Sequence, residues 1–258
     1  MPTRRRLLAR CSALALVLVA GGCSSGFDFG APDPTTTQGE EVLDLWRGAH
    51  WAAAAVGALI WALVLFCILR YRRRNDELPS QSPENIPVEV FYTLTPLVVV
   101  AVLFVFTVLT QQRVVALSDD PDVVVDVVGF QWSWQFEYPE EGVTVVSNGF
   151  DTPRMVLPVG ATVRLRLESP DVNHSFWVPR FLVKRDLIPG IDNEIEVEVT
   201  QAGEWEGRCA EFCGLDHYRM NFSVAAVPPE EYRAWLDERR ADPVTTQAAS
   251  ASTGGAGG

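Results

Sequence analysis

Residues 208–220 read R-C-A-E-F-C-G-L-D-H-Y-R-M, which places Cys209, Glu211, Cys213, His217 and Met220 within twelve residues. A second histidine, His174, stands 35 residues before Cys209 in D-V-N-H-S-F. Thiolate, thioether and imidazole together form the ligand set that suits copper. A blue-copper site on a β-sandwich takes one distant His, with Cys, His and a weak Met on a single loop. This loop has that layout plus a second Cys. Two thiolates can bridge two copper ions, each of which also takes one imidazole. Such a pair shares one electron over a compact core that moves little on reduction. Three other readings use the same residues. Cys209 and Cys213 could form a disulfide, which an exported protein permits. Two Cys and two His could hold a structural zinc, with Met220 then surplus. A single copper is the third. His50 and Cys67 lie outside the constellation, the first read as an interfacial residue and the second as a small apolar packer.

Holding one distant His beside a ligand loop is work for a β-domain, and the surrounding pattern supplies one. Val163, Leu165 and Leu167 alternate with Arg164, Arg166 and Glu168, and Ile195, Val197 and Val199 alternate with Glu194, Glu196 and Glu198. Each segment predicts a strand with one buried and one solvated face. Val123 to Tyr138 holds two more strand-like stretches, in which Trp132 and Trp134, two apart, are expected on one face. Gly and Pro punctuate at Pro139, Gly142, Gly160, Pro170, Pro189-Gly190 and Gly203. Short strands at this spacing predict a sandwich or barrel of roughly 110 residues. Pro228-Pro229-Glu230-Glu231 opens an amphipathic helix over 228–240 that presents Tyr232, Trp235 and Leu236. Residues 241–258, ending in Thr, Gln, Ala, Ser and Gly, predict a disordered tail.

The first half of the chain has another character. Arg4, Arg5, Arg6 and Arg10 precede a short apolar run, Ala13 to Ala20, as in a secretory signal over 1–22. Small residues then meet Cys23, which resembles a bacterial lipoprotein box with Cys23 as the acylation site. Residues 23–45 predict an exported linker. Trp51 to Leu69 and Val90 to Gln112 are uncharged runs of 19 and 23 residues. A membrane span needs about 20 apolar residues, so residues 46–113 predict a transmembrane hairpin. Arg70, Arg72, Arg73 and Arg74 follow the first run and mark the cytoplasmic side. Everything after Arg113 is therefore outside, in agreement with the export signal. The fold class is a two-helix transmembrane hairpin followed by an all-β cupredoxin-like sandwich domain over 114–227.

Charge divides the chain in the same place. Of its 258 residues, those from 116 onward carry 24 Asp and Glu against 11 Lys and Arg, while the whole chain has a formal charge of −12. Duplex binding needs a basic surface, so nucleic acid is not a partner. An acidic exported domain instead suits a basic partner approaching from outside.

The loop C-A-E-F-C-G-L-D-H-Y-R-M resembles the Cys-x-Glu-x-Cys-x-x-x-His-x-x-Met pattern of subunit II of haem-copper cytochrome c oxidases at every ligand position. Three more segments are similar to that family: G-F-Q-W-S-W-Q-F-E-Y from Gly129, V-P-R-F-L-V-K-R-D-L-I-P-G from Val178, and V-E-V-F-Y-T-L-T-P from Val88. The resemblance covers most of residues 45–240. It implies a dinuclear copper centre (CuA) bridged by Cys209 and Cys213, with His174 and His217 as imidazole ligands. Met220 and the main-chain carbonyl of Glu211 would be the axial ligands, and the Glu211 side chain would face a Mg²⁺ or Mn²⁺ shared with subunit I. Trp132 would be the electron entry port, and Glu89 would sit at the mouth of a proton channel. The family's partners are oxidase subunits I and III and a cytochrome c, soluble or held in a supercomplex. Its function is to pass electrons from cytochrome c to haem in subunit I, for reduction of O₂ to water coupled to proton pumping, in a bacterial cell membrane.

The lipobox and the Ala/Gly/Ser-rich tail resemble actinobacterial members. Asn173 before the distant His, and Phe176-Trp177 after it, depart from the usual family residues without touching a ligand position. No C-x-x-C-H occurs, so a fused cytochrome c domain is not expected. Three neighbouring functions compete. A quinol oxidase subunit has an empty copper loop, nitrous oxide reductase needs a large propeller, and a tethered copper store has no haem partner.

Overall fold

The computed structural model describes residues 28–76, 78, 80–147, 152–241 and 244–246. The signal segment, Cys23 and the last twelve residues fall outside these. Two long helices come first. α1 spans Thr37–Arg70, capped by the Thr36 hydroxyl, which accepts from the Gly39 amide at 3.0 Å. It begins within the segment expected to be linker. α2 spans Ile86–Val114. Asn85 Oδ1 accepts from Val88 N at 3.4 Å, and Glu89 Oε1 accepts from Asn85 N at 2.9 Å, a reciprocal cap at the helix start. Arg70 and Arg113 stand in the last turns, where a cation complements the helix dipole. Large apolar side chains point outward along both helices, among them Trp61, Leu69, Phe91 and Phe104. Helices apolar on every face are stable in hydrocarbon rather than in water. Arg113 and Glu41 pair at 2.9 Å where the two helices meet the exported side.

The rest is a two-sheet domain. Its strands are β1 Val123–Phe130, β2 Ser133–Tyr138, β3 Val143–Val146, β4 Arg154–Pro158, β5 Thr162–Glu168, β6 His174–Val178, β7 Val183–Leu187, β8 Asn193–Glu198, β9 Gly203–Cys209, β10 Asn221–Val227 and β11 Val244–Thr246. One sheet runs β11-β3-β2-β1-β5-β8 and the other β4-β10-β9-β6-β7. The pairs β1–β5, β4–β10 and β3–β11 are parallel and the others antiparallel. Val163, Leu165, Leu167, Ile195 and Val197 turn inward as their alternation predicts. An aromatic group of Trp134, Phe136, Phe176 and Phe222 fills the centre, with neighbouring ring centroids 4.8 to 6.2 Å apart. α3, Pro229–Arg240, lays Tyr232 and Leu236 onto the domain. Strand β11 lies inside the segment whose composition predicts a disordered tail. There it pairs with the outer edge of β3, whose main-chain groups were open to a partner.

Three details differ from the sequence pattern. Glu196, expected on a solvated face, is 5% exposed. Arg164 lies opposite it on β5, and the Ser118 amide and hydroxyl both donate to its carboxylate. Trp132 does not lie in a strand with Trp134. The chain reverses between β1 and β2 at Gln131-Trp132, so Trp132 sits half-buried in the turn while Trp134 is fully in the core. The segment before α1 is bound to the domain rather than free. Thr36 bridges to Val199, Thr35 N donates to Arg180 O at 3.0 Å, and Glu198 N donates to Gln38 Oε1 at 3.1 Å. Gly39 is required at this contact, because a Cβ there would lie 2.8 Å from the Phe181 carbonyl.

Candidate metal centre

Strand pairing brings the distant histidine to the loop. β6 begins at His174, β9 ends at Cys209, and the two run antiparallel with Phe176 opposite Cys209. The Ala210 amide then donates to Ser175 O at 3.0 Å, which holds the start of the loop against β6. Its end returns to its beginning, where Cys209 N donates to Met220 O at 2.9 Å. The core indole of Trp134 donates to the same carbonyl at 3.3 Å. Between these anchors a 3₁₀ turn, His217–Arg219, presents His217. The ligand loop is thus clamped at both ends by elements of one sheet and by the central aromatic cluster.

All six residues of the expected set converge. Cys209 and Cys213 Sγ lie 3.9 Å apart, nearly twice the S–S bond length of about 2.0 Å, and both are free thiols. His174 Nδ1 is 3.8 Å from Cys209 Sγ, and His217 Nδ1 is 3.5 Å from Cys213 Sγ. Met220 Sδ lies 3.8 Å from Cys213 Sγ, and the Glu211 carbonyl oxygen 3.2 Å from Cys209 Sγ. His174, Cys209 and Cys213 are buried and their ligand atoms lie within 4.8 Å of one another. His217 closes the other side and is half-exposed. The Glu211 side chain points to solvent, as do its neighbours Phe212, Leu215 and Tyr218.

The two thiols are electrostatically unlike. Burial alone would raise Cys209, but hydrogen bonding with His174 and with main-chain groups outweighs it and brings the thiol down to about 7. Cys213, buried and facing the Cys209 sulfur, is pushed up to about 12. A metal held by this thiolate would have to displace the Cys213 proton, so acid would oppose its binding. Soft sulfur and imidazole donors in this arrangement fit copper.

Two residues that the sequence pattern did not single out complete the surroundings. Asp171 Oδ1 lies 2.9 Å from His174 Nε2. Gln131 Nε2 donates to the Cys213 carbonyl at 2.8 Å, beside Trp132 Nε1, which donates to the same oxygen at 3.2 Å. Gly214 makes this approach possible. It has φ +120°, and a Cβ there would lie 3.1 Å from Gln131 Nε2 and 3.2 Å from the Trp132 ring. An acidic residue three before the first His ligand, and a Gly directly after the second Cys, were the only traces of these contacts in the sequence.

Comparison with known proteins agrees with the geometry. Residues 123–227 match the family model "Cytochrome C oxidase subunit II, periplasmic domain", and residues 24–109 match its "transmembrane domain". A probable cytochrome c oxidase subunit 2 of Streptomyces coelicolor is 38% identical over 280 residues, covering 92% of this chain and 88% of the relative. The chain belongs to the cytochrome c oxidase subunit II family. The subunit 2 of Mycobacterium tuberculosis is 33% identical over 297 residues, with 91% of this chain and 82% of the relative covered. Among solved structures, the periplasmic domain of subunit II from Bradyrhizobium japonicum is 28% identical and covers 49% of this chain and 99% of its own, with a TM-score of 0.45.

As a subunit II, the chain has an electron-transfer role in association with a haem-copper oxidase complex and cytochrome c, and it is not the subunit that reduces O₂. It is a multi-pass membrane protein with its C-terminal domain outside the cytoplasm. Glu89 lies at the opposite end of the hairpin from the metal loop, in the first turn of α2, where it caps Asn85.

Proposed function

We propose that His174, Cys209, Cys213, His217, Met220 and the Glu211 carbonyl hold a dinuclear copper centre that receives electrons from cytochrome c and passes them to haem in subunit I. The observation that carries this reading is the pairing of two free thiols 3.9 Å apart, each with its own imidazole nitrogen, at 3.8 and 3.5 Å. Met220, also at 3.8 Å, supplies a thioether that a zinc site does not use. When bound, the copper pair supplies a one-electron store with little rearrangement between its two oxidation states. The protein's part is to keep the loop rigid, exclude water from the His174 side and present one route inward. Trp132 would supply that route: its indole is partly exposed at the turn, and its Nε1–H donates to the Cys213 carbonyl. The acidic domain attracts a basic donor before contact.

Two further roles belong to the same reading. The exposed Glu211 carboxylate is free to contribute to a Mg²⁺ or Mn²⁺ shared with subunit I, the kind of hard cation that carboxylates bind. Glu89 stands at the start of α2 facing the cytoplasmic side, where a proton path into subunit I would open. Electrons delivered through this chain would then drive O₂ reduction coupled to proton pumping, alongside subunits I and III. Cys23, if acylated, would add a lipid anchor to the exported side.

The test is made on the oxidase purified from membranes. Two copper ions per chain and an electron resonance showing one electron shared over both nuclei are expected, with haem co-purifying. Cys209→Ser or Cys213→Ser should abolish the signal, and Met220→Leu should shift the potential with the signal retained. Trp132→Ala should slow electron uptake while copper content stays unchanged. One copper per chain, zinc in its place, or copper without haem would refute the proposal.

A further inference from the structure

The ring of His174 is wholly buried, so no solvent reaches its second nitrogen and a protein group must satisfy it. Asp171 does so, with Oδ1 2.9 Å from Nε2. An aspartate near neutral pH is an acceptor only, and a neutral imidazole carries one N–H. In the neutral form that binds a metal, the proton therefore sits on Nε2 and the lone pair is left on Nδ1, the atom facing Cys209 Sγ at 3.8 Å. The carboxylate is itself held in place. Val172 N donates to Oδ1 at 2.6 Å and Gln131 N donates to Oδ2 at 2.7 Å. That second bond is the notable one, because Gln131 opens the turn that carries Trp132 and also reaches the Cys213 carbonyl. One carboxylate thus touches the buried imidazole on one side and the root of the tryptophan turn on the other. His217 has no carboxylate counterpart among the described residues, since its ring bonds only to the thiols of Cys213 and Cys209.

We propose that Asp171 is a positioning residue of the centre: it fixes His174 in the tautomer that offers Nδ1 to the metal and locks the Trp132 turn to that same ring. This inference rests on the copper reading of the loop. A carboxylate behind a ligating imidazole also raises the basicity of the donor nitrogen, and losing such a partner typically costs about 10–100-fold in metal affinity. The two halves of the centre are therefore unequal by construction, with the buried half held by Asp171 and the half-exposed half free to adjust.

The experiment uses the full-length chain in detergent, labelled with ¹⁵N-histidine, of which there are only three to assign. In the metal-free wild type, at a pH alkaline enough to hold the imidazole neutral, His174 should show a single tautomer with Nε2–H protected from exchange. Asp171→Ala should give averaged tautomers, about 10–100-fold weaker copper binding and an altered potential. Asp171→Asn keeps the size and removes the charge, so its reduction potential should lie above that of the wild type. An Asp171→Ala chain with the wild-type tautomer, affinity and potential would overturn the inference. If that variant does not fold, Asp171→Asn decides alone, with wild-type affinity and potential as the refuting result. A defect confined to donor association, shrinking as salt rises, would make Asp171 a docking charge and equally overturn it. Should the wild type bind no copper, the proposed function fails, yet the tautomer measured without metal still decides the role of Asp171.

Discussion

Glu196→Gln tests how the domain is tied to the membrane hairpin. The carboxylate is 5% exposed and receives four donors: Ser118 N at 2.9 Å, Ser118 Oγ at 3.0 Å, Arg164 Nε at 2.9 Å and Arg164 Nη2. Ser118 lies on the short connection from α2 to β1, and Arg164 Nη2 also donates to its carbonyl. In glutamine one of the two acceptor oxygens becomes an NH₂ group, which turns its back on donors that remain in place. The Arg164 charge then loses its main partner while only 18% of its side chain is exposed. Removing one member of a buried pair costs about 3–5 kcal/mol. The residual exposure of Arg164 and the oxygen that survives place this case at about 3 kcal/mol. The pH dependence has a definite sign. Burial would raise the Glu196 carboxyl, but Ser118 and Arg164 outweigh it and hold it below the ordinary value. A depressed folded pKa gives stability that is complete above the unfolded value, about 4.3, and is lost as pH falls through the folded one. Denaturant unfolding of the full chain in detergent, followed by tryptophan fluorescence, should show a wild-type advantage near neutrality that shrinks below about pH 4. A difference under about 1 kcal/mol at neutral pH, or one that grows in acid, would refute the reasoning.

Two further substitutions probe the site and its frame. Gly214→Ala introduces a side chain at φ +120° and crowds Trp132 and Gln131; it should cost about 1–3 kcal/mol and slow electron uptake with copper content retained, as checked by thermal melting and stopped-flow reduction. Tyr138→Phe removes a buried hydroxyl that both donates to Val156 O at 3.0 Å and accepts from Val156 N at 2.9 Å; it should cost about 1–3 kcal/mol in denaturant unfolding, with an unchanged copper spectrum in the purified oxidase.

The site was far more legible in the sequence than the frame that surrounds it. Ligand chemistry concentrates in one loop, so Cys209, Cys213, His217 and Met220 could be read by spacing, and His174 by its residue type. Alternation revealed β5 and β8 because each has one apolar face. It misjudged Glu196 because the pattern of one strand does not show that Arg164 stands opposite on the next and Ser118 reaches in from a linker. Trp132 was misplaced for a similar reason. Its neighbours alternate like a strand, and only the pairing of Phe130 with Ser133 shows that the chain turns between them. Asp171 and Gln131 act through hydrogen bonds to each other, 40 positions apart, and to His174 and Cys213, 3 and 82 positions away, which leave no periodic trace.

Both membrane helices are fastened to one edge of the domain. From α1, Gln38 accepts from the Glu198 amide, and just before the helix the Thr35 carbonyl accepts from Thr200 N at 3.0 Å. From the end of α2, Ser118 reaches Glu196. These anchors fall on β8 or just beyond it. From β8 the sheet continues through β5 to β1, and β1 ends at the turn that carries Trp132. Each step is a ladder of main-chain hydrogen bonds, stiffer than a flexible tether would be. The indole and the hairpin are therefore linked by three paired strands. The Glu41–Arg113 pair adds only a surface interaction to this frame, typically worth under about 1 kcal/mol, so the burden falls on the β8 contacts. An electron-transfer domain that must hold one distance to a partner embedded in the membrane needs such a base. The cluster around Glu196 accordingly bears on function through position, although it lies two strands from β1 and the Trp132 turn in the sheet's pairing order.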